Sequence, residues 1–280
     1  MASRRMSRRR ILDRIGLYAL MAFVAFLFIV PFLILLSTAL KPATQSISDF
    51  PPDLIPKPPV LDYFADAWTV IPFPLYLLNS ILYVLLTVPA YLVVSALTAY
   101  PLARFRFRGR GLVFGLFLST MFLPGELMLI PRFITTNQMG LTDSYAGLAL
   151  PSILGALGIL LLRQAFLQIP TELFEAARID GAGEWRIFSR IALPLVTPTI
   201  VVLGILGFIS VWNSFIWPMV VLTDQSKYPL ALGIAYLTGV SGNSLRPLAA
   251  GTVLSLIPVI VVFVLLQRRI LGNVAGAVKG

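Results

Sequence analysis

The 280-residue sequence contains no cysteine and no histidine. Disulfides, thiol nucleophiles, zinc sites of the Cys/His kind and imidazole acid–base catalysis are therefore excluded. Charge is scarce: Asp, Glu, Lys and Arg make up 12% of residues, about half the fraction usual in soluble domains. Acids are the scarcer sign, 12 against 22 Lys and Arg, which leaves a net charge of +10. A soluble protein with that charge would suggest nucleic acid as a partner. No G-x-x-x-x-G-K-[ST] phosphate loop occurs, so the chain is not expected to bind or hydrolyse ATP. Neither a catalytic constellation nor a metal-ligand cluster is evident, and none is expected.

What the sequence has instead is apolar residues, 58% of the total, gathered into long runs. A bilayer core needs roughly 20 mostly apolar residues per helix. Six runs qualify: Ile15–Leu40, Leu75–Ala103, Leu112–Ile130, Tyr145–Phe166, Leu195–Val221 and Leu248–Leu266. The expected fold class is an all-α integral membrane protein with six transmembrane helices. A membrane domain spans 15–267, between a basic tail at 1–14 and a second tail at 268–280. The first apolar run is too long, and too poor in small-residue cleavage signals, for a removed signal peptide.

The basic residues explain the net charge by topology. Arg4, Arg5, Arg8, Arg9, Arg10 and Arg14 precede the first run. Arg104, Arg106, Arg108 and Arg110 lie between the second and third, and Arg163, Arg178, Arg186 and Arg190 around the fourth-to-fifth connection. Arg268, Arg269 and Lys279 follow the sixth. The alternate loops hold only Lys41, Lys57, Arg132, Lys227 and Arg246. The positive-inside rule therefore puts both termini in the cytoplasm. Nucleic acid is not an expected partner.

The outer loop from Lys41 to Pro74 contains "FPPDLIPKPPV", which reads as irregular extended chain, followed by "LDYFADAW", which can form a short helix. The loop from Thr223 to Pro247 carries Gly, Ser and Asn. Every run contains proline: Pro31, Pro89, Pro124, Pro151, Pro198 and Pro258, with Pro101 and Pro218 near ends. Membrane helices tolerate proline where neighbours re-satisfy the freed carbonyl. Small residues in "GLALPSILGALG" and "GILGF" permit close helix packing.

The connection at 168–194 is the least ordinary segment. Its core, "EAARIDGAGEWRIFSRIALP", is charged and helix-prone between two greasy runs. Thr171 is a candidate N-cap, with Glu172 and Glu175 in the first turn, where acids suit the helix dipole. Gly181 and Gly183 interrupt the helix. A second piece follows with Trp185, Phe188 and Ala192 on one face and Arg186 and Arg190 on another, and Pro194 ends it. An interfacial helix lying on lipid would fit the composition. It would not require a break at Gly181 or the small pair Ala176–Ala177, which favour close approach by another protein.

The order Glu175-Ala176-Ala177, three residues, Gly181, nine residues, then Ile191-Ala192-Leu193-Pro194 resembles the EAA loop of ABC importer permeases, and Asp180 fits as well. The segments "LPGELMLIPRF" (123–133), "NQMGLTDSYAGLALP" (137–151), "WNSFIWP" (212–218) and "LLQRRILGNVAGAVKG" (265–280) resemble the smaller permease subunit of carbohydrate-type importers, as in maltose transport. The resemblance covers nearly the whole chain and implies an ABC importer type I permease fold. It implies a subunit forming a sugar or oligosaccharide path in a prokaryotic inner membrane. It also implies a second homologous permease, two cytoplasmic ATPase subunits that hold ATP and Mg, and an extracytoplasmic substrate-binding protein. No cofactor is expected on this chain itself.

In that family the loop is a coupling helix seated in a cleft of the ATPase. The resemblance therefore assigns Glu175, Ala176, Ala177, Asp180, Gly181 and Pro194 to ATPase coupling, and it allows Gly276–Gly280 to reach the same subunits. The compact loop after the first span departs from the family by offering little room there for extra contact with a binding protein. Substrate-path candidates rest on residue type. Glu126 is the only acid well inside an apolar run, although pairing with an Arg or a backbone N–H, or a place at the outer rim, would explain it too. Trp212 and Trp217 can stack on pyranose faces, Asn213 can hydrogen-bond hydroxyls, and Asn79 is a further candidate. An interfacial aromatic belt would also use the tryptophans. Importers of glycerol-phosphate or polyols remain alternatives within the class. Outside it stand an ion-coupled secondary transporter, which would want several embedded charges or inverted repeats, and a membrane scaffold or enzyme.

Overall fold

The structure is a computed structural model that describes residues 8–240 and 244–277. Arg4, Arg5, Lys279 and the end of the Gly276–Gly280 tail lie outside the described residues, as do the side chains of Arg8, Arg9, Arg10, Arg268 and Arg269. Among the described residues there are helices and no strands. In order they are α1 (Arg8–Leu40), α2 (Asp62–Thr69), α3 (Phe73–Arg104), α4 (Arg110–Ser119), α5 (Leu129–Gln138), α6 (Tyr145–Ala149), α7 (Ala156–Gln168) and α8 (Thr171–Ile179). There follow α9 (Glu184–Ile187), α10 (Leu193–Leu195), α11 (Thr197–Trp212), α12 (Ile216–Val221), α13 (Leu230–Val240) and α14 (Leu245–Ala277).

Three helices are long and apolar enough to cross a membrane unbroken: Gly16–Leu40, Phe73–Arg104 and Leu245–Leu265. The other three expected spans are interrupted, each at a proline or glycine that hydropathy ignores. In the expected Leu112–Ile130 span, α4 passes into a 3₁₀ turn at Thr120–Phe122, and Leu123 turns extended (φ −83°, ψ 121°) ahead of Pro124 and Gly125. Proline disfavours helical backbone at the residue before it and cannot donate to the ladder. The helix resumes only at Leu129. In the fourth run, Tyr145–Ser152 bends by 45° from α7, with Pro151 in the bend and Gly155 extended before α7. In the fifth run, Glu184–Leu195 bends by 73° from α11, and Asn213–Phe215 separates α11 from α12. Counting each bent pair as one span gives up to five, not a demonstrated six.

One further expectation changes and another holds. The Thr223–Pro247 loop holds α13, because "LALGIAYLTGV" is continuously apolar. The expected "LDYFADAW" helix is present as α2.

The chain divides into two compact units. One takes the residues up to Ile71 together with Ile234–Leu256. There the extended loop after α1 is organised by Gln45, whose Nε2 donates to Asp53 Oδ2 (2.9 Å) and the Ile55 carbonyl (3.0 Å). Its Oε1 accepts from the Lys57 N–H (2.9 Å), and its carbonyl accepts from Arg246 (2.6 Å).

The other unit takes Pro72–Gly233 and the residues from Ile257 on. Its centre is α3 packed on α7. Glycine makes the approach possible: a Cβ on Gly158 would stand 2.5 Å from Ser95 Oγ and from Tyr91 Oη. The core continues from Ala99, Tyr100 and Ala103 of α3 through Ile159, Leu162 and Phe166 of α7 to Phe174, Ile187 and Phe188. The segment at 168–194 therefore belongs to the same core as the long helices.

Candidate functional site

Two places in the larger unit carry candidate chemistry: the helical hairpin at 171–194 and a cavity of mixed polar and apolar lining beside α3.

In the hairpin, α8 closes with a left-handed glycine cap. Gly181 has φ +79°. Its N–H donates to the Arg178 carbonyl (3.0 Å), while the Ala182 N–H donates to the Ala177 carbonyl (2.9 Å). These two bonds form the Schellman arrangement that satisfies the last helical carbonyls. A Cβ at Gly181 would meet nothing within 4 Å, so backbone conformation alone demands glycine there. The expected N-cap shifts by one: Pro170 caps α8, Thr171 is its first helical residue, and no side-chain cap bond forms.

Glu175, Ala176, Asp180 and Gly181 are exposed. Ala177 is buried in the protein's own core, so the small pair does not face outward together. Ala177 is small because α8 lies close on the core. The outward surface is completed by two apolar side chains, Ile179 at 86% exposure and Trp185 at 69%. Phe188 and Ala192 are buried, so only part of the expected apolar face turns inward.

Nor does Pro194 end the second helix. Phe188–Ala192 forms a π-helical turn that leads into α10, which contains Pro194. The helical path breaks at Val196, where Pro198 removes a donor and crowds the carbonyl four residues back.

The hairpin is fastened to the long helices by specific bonds. Arg104, at the end of α3, donates to the carbonyls of Phe166 and Ile169. Its guanidinium carbon sits 4.1 Å from the Phe174 ring centre, a favourable cation–π placement. Arg163 of α7 donates back to the Leu102 carbonyl (3.0 Å). Tyr100 packs among Phe166, Phe174 and Phe188 and donates to Glu184 (3.3 Å), which also pairs with Arg178 (2.8 Å). A displacement of α8 therefore reaches α3 and α7 through packed rings and charge-assisted bonds rather than through a loose linker.

The cavity has a volume of about 320 Å³. Tyr83, Thr87 and Tyr91 of α3 line it, with Arg132 of α5, Ser152, and Ser210 and Ser214 at the end of α11. The sequence carries a signal for this wall that residue-type reasoning missed. Asn79, Tyr83, Thr87, Tyr91 and Ser95 recur every four residues in a mostly apolar helix, a slowly drifting stripe whose middle three members line the cavity.

The substrate-path candidates fall elsewhere. Asn79 is 3% exposed, and its amide is fully engaged. Nδ2 donates to the carbonyls of Ser226 (2.8 Å) and Tyr228 (3.0 Å), and Oδ1 accepts from Tyr145 (2.8 Å). Trp212 is buried, with Phe208 stacked on it at 5.5 Å. Trp217 is 5% exposed, donates to the Leu148 carbonyl (3.2 Å), and carries Arg132 over its ring at 3.9 Å. Neither tryptophan offers a free face to a sugar. Asn213 is exposed, and its side chain donates to the Ile209 carbonyl (2.9 Å) at the end of α11. Glu126 is exposed in the turn that breaks the third run, not embedded in a helix. Among the described residues no ion pair or side-chain hydrogen bond reaches its carboxylate.

A third cluster ties loops together. Asp143, at φ +55°, accepts from Lys227 (2.8 Å) and from the backbone N–H groups of Thr223 and Asp224 (both 3.0 Å). The Lys227 ammonium, followed by these N–H groups, holds the Asp143 carboxyl down at about 2.

The chain as a whole has counterparts among known proteins. The family described as binding-protein-dependent transport system inner membrane component matches residues 1–274. The chain belongs to that family. The permease is 33% identical to the arabinooligosaccharides transport system permease protein AraQ of Halalkalibacterium halodurans, over 92% of this chain and 94% of that protein. It is 37% identical to the sn-glycerol-3-phosphate transport system permease protein UgpE of Yersinia pestis, over 78% and 80% of the respective chains. Among solved structures it resembles a chain of a bacterial ABC transporter involved in the import of the acidic polysaccharide alginate. That match has a TM-score of 0.78 at 25% identity, and covers 95% of this permease and 99% of that chain. The ABC importer permease fold expected from the EAA-like residues is the observed fold.

Proposed function

We propose that this permease forms part of the path for a sugar or oligosaccharide in an ATP-driven importer, and that residues 175–194 couple it to a separate cytoplasmic ATPase. The carrying observation is the hairpin itself. An outward surface of Glu175, Ala176, Ile179, Asp180 and Gly181 sits on a helix that Arg104, Phe174 and Tyr100 join to α3 and α7. A surface made only to rest on lipid would not need that rigid connection. The similarity to an arabinooligosaccharide permease supports a carbohydrate substrate.

In this reading the chain crosses the membrane six times, with interrupted third, fourth and fifth spans, and both termini are cytoplasmic. Broken helices are acceptable where their freed carbonyls face protein or a cavity rather than lipid. A second permease completes the path, two ATPase subunits bind ATP and Mg, and an extracytoplasmic protein delivers substrate. Closure of the ATPase pair would draw the α8–α9 hairpins together and turn the α3–α7 wall. ATP-dependent uptake of labelled arabino-oligosaccharides and other sugars into proteoliposomes tests this. Uptake should require ATP and the ATPase, and Gly181→Pro should abolish it while insertion persists. Uptake driven by an ion gradient without ATP would favour a secondary transporter and overturn the reading.

The glycerol-phosphate relative supports a second reading within the same class, a phosphorylated polyol as cargo. Uptake of labelled glycerol 3-phosphate in the same vesicles separates the two.

A further inference from the structure

We propose that Arg132 is an anion-recognition group within the cavity, so that the preferred cargo is a hydroxylated molecule bearing a carboxylate or phosphate. The proposal deepens the import reading and rests on it. Arg132 is the cation of a wall otherwise built from hydroxyls and apolar groups, and no acid lines the cavity. One guanidinium nitrogen donates to Ser152 Oγ (2.8 Å). The guanidinium carbon lies over Trp217, 3.9 Å from its ring centre. The Nε atom is buried and has no hydrogen-bond partner. Among the described residues no carboxylate lies within ion-pairing distance of Arg132. A cation taken out of water without a counter-charge is costly. Here Trp217 and Ser152 fix its orientation and leave N–H donors on the terminal nitrogens, though not the buried Nε, for a ligand oxygen. Thr87, whose buried Oγ1 also lacks a partner, lines the same cavity. Hydroxyl donors and acceptors beside one oriented guanidinium match a polyol skeleton with one anionic substituent.

The test uses the assembled transporter in phosphatidylcholine nanodiscs, which carry no anionic headgroup. Binding of digalacturonate is compared with neutral galactobiose, and glucose 6-phosphate with glucose, by ligand-observed NMR. At least one acidic probe should bind the wild type more tightly than its neutral counterpart. Which pair discriminates tells carboxylate from phosphate. Arg132→Gln should weaken that acidic probe by roughly 10- to 100-fold, the range of one charge-assisted hydrogen-bond set, and leave the neutral probe unchanged. Arg132→Lys should retain part of the preference. Equal or absent binding of acid and neutral probes by the wild type overturns the proposal without any variant. So does an Arg132→Gln protein that keeps the preference, which would make Arg132 a structural brace on Trp217. ATP-dependent uptake of a neutral sugar by a wild type that binds acidic and neutral probes equally would leave the import reading standing while overturning this one.

Discussion

At the scale of single residues, Gly181 separates conformation from packing. Its φ is +79°, yet a Cβ there meets nothing, so Gly181→Ala should add left-handed strain of about 1–2 kcal/mol and no clash. Gly183 has extended backbone (φ −69°, ψ 158°) and equal space, so Gly183→Ala should be neutral within about 0.5 kcal/mol. Comparing the two variants by thermal melting of the purified permease reads the cap directly. Phe174 tests the fastening of α8. It is 1% exposed beneath Arg104 and beside Tyr100, and Phe174→Ala should cost about 3–5 kcal/mol. That would show as a lower melting temperature and weaker coupling. The role of Gly181 was legible in its sequence context, because a glycine after a helical run at a turn has few alternatives. The roles of Asn79 and Trp217 were not. Their residue types suit a sugar, but their partners lie up to 149 and 69 residues away in the chain. Residue type cannot reveal that those hydrogen bonds are already taken.

At the scale of elements, the unbroken helices were legible because apolar length alone defines them. The broken ones were not, because a hydropathy window averages over Pro124–Gly125 and over the Pro194 and Pro198 pair. The α3–α7 contact was half legible: small residues announced close packing without naming the partner. Gly158→Val tests it. A Cβ alone would stand 2.5 Å from Ser95 Oγ and from Tyr91 Oη, so the Ser95 and Tyr91 side chains must move or α3 and α7 must separate. The purified variant should melt several degrees lower, and the cavity bordered by Tyr91 should change shape. The loop tether at Asp143 tests a pH dependence. Its folded value of about 2 lies below the ordinary carboxylate value near 3.9. Its contribution is therefore complete above about pH 4 and is lost as pH falls through 2. The stability difference between wild type and Asp143→Asn should be constant from pH 7 down to about 4, then shrink toward pH 2, as read by melting across that series.

At the scale of the whole molecule, the absence of cysteine is an experimental advantage. Single cysteines placed at Ser48, Ser189 and Ser226 can be probed in intact cells with a membrane-impermeant thiol reagent. Six crossings with cytoplasmic termini predict labelling at 48 and 226 from outside and protection at 189. Labelling at 189 would invert the orientation read from the arginines. The central claim remains that the α8–α9 hairpin is where an ATPase meets this permease, and one cross-linking measurement addresses it most directly. A cysteine at exposed Ala176 and a second, control cysteine at Ser48 are each introduced into the otherwise cysteine-free chain. The permease is co-expressed with its candidate ATPase and treated with a short reagent that couples to the thiol at one end and inserts into any neighbouring bond on illumination at the other. The account predicts an Ala176→Cys adduct with the ATPase whose yield changes on adding ATP, and none from Ser48→Cys. No adduct from Ala176→Cys in a complex that still co-purifies would place the ATPase contact elsewhere and contradict the account.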